Sequence, residues 1–82
     1  MSKYSFTFRS LTQAQYARVI LRRYGIAGEL VQAPMEASKN GCAYAIDVSG
    51  ADGYRAAQIL VQEGIPYANF YQANDRRDGV TL

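Results

Sequence analysis

The chain has 82 residues, a formal net charge of +2, no histidine and one cysteine, which allows one domain and excludes zinc, iron–sulfur and haem ligand sets within a single chain. The same counts exclude an intramolecular disulfide and every Ser–His or Cys–His nucleophile pair, and the lone cysteine points to a reducing, cytoplasmic compartment. Of the 49% apolar residues, twelve are alanine and seven tyrosine, so about twenty large side chains remain to fill one thin core and to serve an oligomer interface, here expected to be a homodimer.

Tyr4-Ser5-Phe6-Thr7-Phe8-Arg9 alternates with a ring at every even position, the pattern of a half-buried strand. Ser10-Leu11-Thr12-Gln13-Ala14-Gln15 offers two overlapping capping boxes, Ser10 with Gln13 and Thr12 with Gln15, and predicts a helix over 11–24. Ala14, Ala17, Leu21 and Tyr24 form its apolar stripe, with Ile20 beside it, and Arg22 and Arg23 oppose the negative end of its dipole. Gly25-Ile26 reads as a C-terminal cap. Gly28–Gln32 is a short second strand that Ala33-Pro34 interrupts, and Met35–Gly41 is a polar loop. From Cys42 a third strand carries Tyr44, Ile46 and Val48 on one face and Ala43, Ala45 and Asp47 on the other. Ser49-Gly50-Ala51-Asp52 caps a helix predicted over 52–63, which stops at Gly64-Ile65 and which Pro66 cannot continue. Tyr67–Gln72 is the fourth strand. Residues 1–73 form the single domain, and 74–82 are a polar C-terminal tail.

A shift of 39 residues aligns Ser10 with Ser49, Ala17 with Ala56, Ile20-Leu21 with Ile59-Leu60 and Gly25-Ile26 with Gly64-Ile65. Two strand–helix–strand units give an α+β fold, βαββαβ, the ferredoxin-like sandwich, with strand order 4-1-3-2 and both helices on one face. The rings of Tyr4, Phe6 and Phe8, with Tyr44, Ile46 and Val48, must then face the helices. Ser5, Thr7 and Arg9 are left on the open face. RNA-recognition domains share this topology but present stacking aromatics on that open face. Here its central strands read Ser, Thr, Arg, Ala, Ala and Asp, so no nucleic-acid partner is expected. Tyr67 and Tyr71 read as half-buried edge tyrosines. No apolar run approaches the roughly 18 residues of a membrane span, and Met1–Tyr4 begins no signal peptide.

The seven carboxylates show no paired arrangement suited to acid–base catalysis, and Ser49-Gly50-Ala51-Asp52-Gly53 lacks the lysine and spacing of a phosphate loop. Arg18, Arg22 and Arg23 make a basic helix surface, read as a solvated face ahead of a phosphate site. Cys42 is the one residue with reactive chemistry. A free cysteine is commonly a small buried hydrophobe. Against that reading stand its position at the end of a polar loop, the room left by Gly41, and the positive charge of Lys39. Tracing strand directions brings Cys42 beside Arg9 and Ser10, near the unpaired N–H groups that open the first helix, where thiolate is favoured over thiol.

Phe6-Thr7-Phe8-Arg9-Ser10, Gln13-Ala14, Gly25-Ile26, Leu30-Val31, Ala33-Pro34 and Gly41-Cys42-Ala43-Tyr44-Ala45-Ile46 together resemble a small bacterial family described as putative selenium/sulfur carrier protein-like. The resemblance spans about residues 4–71 and implies that Cys42 is the carrier thiol, holding sulfur or selenium. The chain departs from the pattern at Ala33-Pro34-Met35, where family members often have Thr-Pro-Arg, and at Cys42-Ala43, where Cys-Gly is common.

The expectation is therefore a non-enzymatic carrier or thiol relay with no cofactor. Cys42 accepts a persulfide-type adduct, and Arg9, Ser10, Thr12, Lys39 and Gly41 support its thiolate. Its partners would be a donor enzyme of the cysteine desulfurase type and an acceptor protein. The alternative is a small protein-interaction or ligand-binding oligomeric module in which Cys42 is structural.

Overall fold

A computed structural model describes residues 3–33 and 43–72. The elements run β1 (Lys3–Phe8), α1 (Leu11–Arg23), β2 (Glu29–Gln32), β3 (Tyr44–Ser49), a single 3₁₀ turn (Gly50–Asp52), α2 (Gly53–Gln62) and β4 (Asn69–Gln72). They form one antiparallel sheet ordered β2-β3-β1-β4. This is the expected βαββαβ sandwich with the expected strand order. Strands β2 and β4 begin later than the sequence pattern suggested, at Glu29 and Asn69. The second helix is entered through the 3₁₀ turn, so its α-helical part starts at Gly53.

The repeat is clearest in the strand register. Phe6 lies opposite Ile46, and the pairs Tyr4–Val48 and Phe8–Tyr44 flank it symmetrically. On the two outer ladders Leu30 faces Ile46 and Phe70 faces Phe6. The strands therefore repeat at an offset of 40, whereas the helix stop signals repeat at 39. The second half is one residue shorter between strand and helix.

Both helices end in the same motif. The N–H of Ile26 donates to the carbonyl of Leu21 and that of Gly25 to Arg22, with Gly25 at φ +83°. Ile65 donates to Leu60 and Gly64 to Val61, with Gly64 at φ +73°. Glycine adopts this left-handed position without a Cβ penalty, and the apolar residue after it packs back against the helix. All four of Leu21, Ile26, Leu60 and Ile65 are core residues.

Phe6, Phe8, Ile46 and Val48 face the helices and are buried against Ala14, Ala17, Ile20, Ala56 and Ile59. The alanines let both helix backbones approach the sheet closely. Phe70 stacks on Phe6 with ring centroids 4.6 Å apart and on Tyr4 at 5.2 Å, while Tyr67 meets Phe6 edge-on at 5.1 Å. Tyr67 thus packs on the helix side as a half-buried residue.

Two expectations about faces need correction. Ser5 and Thr7 lie on the face away from the helices, yet they are only 1% and 0% exposed, as is Ala45 at 1%. The register sets Ser5 between Asp47 and Tyr71, and Thr7 between Ala45 and Asn69. Their hydroxyls are satisfied there: Ser5 Oγ donates to Asp47 Oδ1, and Asn69 Nδ2 donates to Thr7 Oγ1 at 3.3 Å. Alternation still holds, but hydrogen-bonded hydroxyls can be buried at little cost. The second correction is Tyr24, which caps α1 and is exposed. Its hydroxyl donates to Glu63 Oε2 at 2.6 Å, and its carbonyl accepts from Arg55 Nη2 at 2.7 Å, so it ties the two helices together at the surface.

Gly53 opens α2 directly beneath the Tyr4 ring, and a Cβ there would overlap that ring. Alanine normally gains about 0.5–1 kcal/mol over glycine in a helix, but overpacking costs about 1–3 kcal/mol. Gly53→Ala is therefore expected to lower the urea midpoint, and Tyr4→Leu in the same chain to recover part of the loss. A second outcome concerns alkaline pH. The Glu63 carboxylate that accepts the Tyr24 hydroxyl raises that phenol above its ordinary value of about 10. The protonated phenol is thus favoured by folding, and its contribution is complete below about pH 10 and lost as pH rises through the raised value. Melting curves should show Tyr24→Phe less stable than wild type near neutrality, with the two converging at strongly alkaline pH.

Candidate functional site

The antiparallel register delivers three strand ends to one edge of the sheet. Phe8 ends β1 opposite Tyr44, which opens β3, and Gln32 ends β2 opposite the same Tyr44. One step further out, Ala33 N–H donates to the Ala43 carbonyl at 3.0 Å. The sequence ends the second strand at Gln32 before Ala33-Pro34, as β2 does, and the Ala33 N–H adds one backbone bond beyond the strand. No pattern in the residues marks this bond, because alanine carries no side-chain signal for it.

From that edge the chain turns through Arg9 and Ser10 into α1. Ser10 is the N-cap, at φ −129° and ψ 147°, and its Oγ accepts from Gln13 N–H at 3.0 Å. Its carbonyl accepts from Ala14 N–H at 3.1 Å. Of the two N-caps read from the sequence, Ser10 is the one used, through its Oγ–Gln13 N–H bond, and Thr12 is an exposed residue of the first turn. The N–H groups of Leu11 and Thr12 have no acceptor among the described residues, as the opening of a helix requires. No carboxylate stands in the first turn to neutralise the positive end of the helix. Arg9 is exposed beside it.

Arg9 and Ser10, which follow the end of β1, and Ala43, which precedes β3, therefore lie at one edge of the sheet, and Thr12 stands in the first turn of α1. Cys42, Lys39 and Gly41 lie outside the described residues. Among the described residues, no group of three His, Cys, Asp or Glu side chains could hold a metal ion, and no helix is long and apolar enough to cross a membrane.

Residues 3–72, which span all of the described fold, match the family described as "Putative Se/S carrier protein-like". The chain belongs to this family. No curated protein and no solved structure matches it. As a Se/S carrier-like domain it carries its single cysteine between Gly41 and Ala43, two residues before Tyr44 opens β3, one of the sheet's two central strands. An element that passes selenium or sulfur onward implies donor and acceptor proteins in general.

In this family member Ser10 holds the start of α1 through its cap. Ser10→Ala is expected to cost about 1 kcal/mol of unfolding free energy in urea titration, the usual cost of losing an N-cap hydroxyl. Ser10→Asp should hold the stability near wild type, because a carboxylate also caps and suits the positive helix end.

Proposed function

We propose that the protein is a non-enzymatic sulfur or selenium carrier, with Cys42 as the thiol that receives and releases the atom. The Cys42 thiolate attacks the terminal sulfur of a donor persulfide. A new S–S bond forms to Cys42, the donor's S–S bond breaks, and the electron pair leaves with the donor thiolate. The acceptor reverses these roles, so neither step needs an external oxidant or reductant. A terminal selenium follows the same path. Because the chain has no residue set for generating the activated atom, the donor is an enzyme of the cysteine desulfurase type.

The observation that carries this reading is the unneutralised opening of α1 at the Ala43 edge. Cys42 directly precedes Ala43 in the sequence. Free N–H groups, the positive helix end and the Arg9 guanidinium favour a thiolate in such surroundings, and thiolate is the nucleophilic form. Lys39 and Gly41 join the proposal as a further positive charge and as room for approach. A cysteine serving only as packing has no use for a helix opening left without a carboxylate.

The test is the rate of iodoacetamide alkylation of the native protein against pH. Cys42 should titrate below the free-cysteine value of about 8.5. Arg9→Ala should slow alkylation near neutral pH about two- to fivefold, the kinetic equivalent of a surface electrostatic contribution of about 0.3–1 kcal/mol. Mass spectrometry after treatment with glutathione persulfide should show one added sulfur on wild type and none on Cys42→Ser. A thiol that titrates at or above 8.5, or that reacts only after unfolding, would remove the basis of the carrier reading.

A further inference from the structure

We infer that the solvent face of α1 is the docking surface for the donor enzyme, and that the enzyme meets it with carboxylates set around an apolar patch. The inference rests on the carrier reading above but is carried by different residues. From Arg9 to Tyr24 the chain holds four arginines, Arg9, Arg18, Arg22 and Arg23, and no acidic residue. None of the four guanidinium groups has an ion-pair or hydrogen-bond partner among the described residues. The Nε of Arg18 is shielded from solvent and unpaired. The four acidic groups of the described fold are engaged or placed elsewhere: Asp47 with Ser5, Asp52 with Ser49 and near Arg55, Glu63 with Tyr24, and Glu29 at the first position of β2.

Local helix energetics do not account for this pattern. Arg22 and Arg23 suit the negative end of α1, but the first turn would be stabilised by a carboxylate and has none. Arg18 and Arg22 are a like-charged pair four residues apart, which destabilises a helix. A merely solvated face usually relieves such repulsion with interspersed glutamates.

Apolar residues are interleaved with these charges. Leu11 is 38%, Tyr16 54% and Val19 44% exposed. At 100° per residue, Arg18, Leu11 and Arg22 line one flank and Arg23 and Tyr16 the other, with Val19 between. A phosphate backbone would meet the charge but leave Leu11 and Val19 against water. A protein surface with carboxylates around an apolar patch satisfies both. The helix is about 20 Å long, so the contact is small and suited to an encounter that must release quickly. Its N-terminal end is the Ala43 edge, so an enzyme seated on α1 has its persulfide within reach of the site.

The experiment loads the full chain in two ways, with glutathione persulfide and with a persulfidated cysteine desulfurase from the same cell. Three proteins are compared: wild type, Arg22→Glu with Arg23→Glu, and a control with Gln58→Glu and Gln62→Glu on the exposed face of α2. Matching melting curves show that all three are folded. The expected result is equal loading by the small persulfide. Enzyme loading should be slowed about tenfold or more in the α1 variant only, and for wild type it should weaken steeply with salt. Val19→Ser should slow enzyme loading with little change in its salt dependence. If the small persulfide loads Cys42 but the enzyme loads all three proteins alike, or loads none, the docking face is wrong and the carrier reading stands. If neither reagent loads Cys42, the carrier reading fails and the dock with it. Binding of a single-stranded oligonucleotide through Arg22 and Arg23 without enzyme loading would make α1 a nucleic-acid face and overturn the proposal.

Discussion

Sliding β1 by one residue against β3 would turn Phe6 and Phe8 away from the helices and present Ser5 and Thr7 to the core. The pairing of Phe6 with Ile46 prevents this from both sides of an approximate twofold relation, since each residue is buried in the same cluster. Everything else follows from that register. It sets Leu30 and Phe70 opposite the central pair on the two outer ladders. It also brings the end of β1, the end of β2 and the start of β3 to a single edge. The local geometry of the proposed site is a consequence of how the core closes.

The fold was legible because each half punctuates itself with strong local chemistry. Alternating rings define β1, Ser10 marks the helix start, and Gly25-Ile26 and Gly64-Ile65 specify two identical stops whose hydrogen bonds are now seen. What was hidden depends on neighbours that are distant in sequence. The burial of Ser5 and Thr7 requires Asp47, Tyr71, Ala45 and Asn69 from two other strands. Tyr24 looked like part of the apolar stripe by spacing, but its partner Glu63 lies 39 residues on, so its hydroxyl decides its place. The ladder bond from Ala33 to Ala43 was equally invisible, because both residues lack a side-chain signal.

The site was legible to a different degree. Strand directions placed Arg9 and Ser10 beside Cys42; of this the described fold shows that β1 ends and β3 begins at one edge of the sheet and that Ser10 opens α1. Lys39, Gly41 and Cys42 lie outside the described residues, so their part in the site rests on chemistry and on the single peptide bond linking Cys42 to Ala43.

A carrier thiol faces two opposing demands. It must be ionised enough to attack a donor persulfide, yet basic enough to remain a good nucleophile and not to be expelled at once when the outer sulfur is attacked. Nucleophilicity falls and leaving ability rises as pKa falls. A buried cation or a dedicated base beside the thiol would drive ionisation too far. A helix opening without a carboxylate, together with an exposed arginine, gives a moderate bias toward thiolate. Acidic residues anywhere near the first turn of α1 would reduce that bias and would also repel a donor that carries carboxylates. Under the proposed carrier and docking roles, the absence of acids from residues 9–24 would serve the thiol and the dock together, against the like-charge repulsion between Arg18 and Arg22.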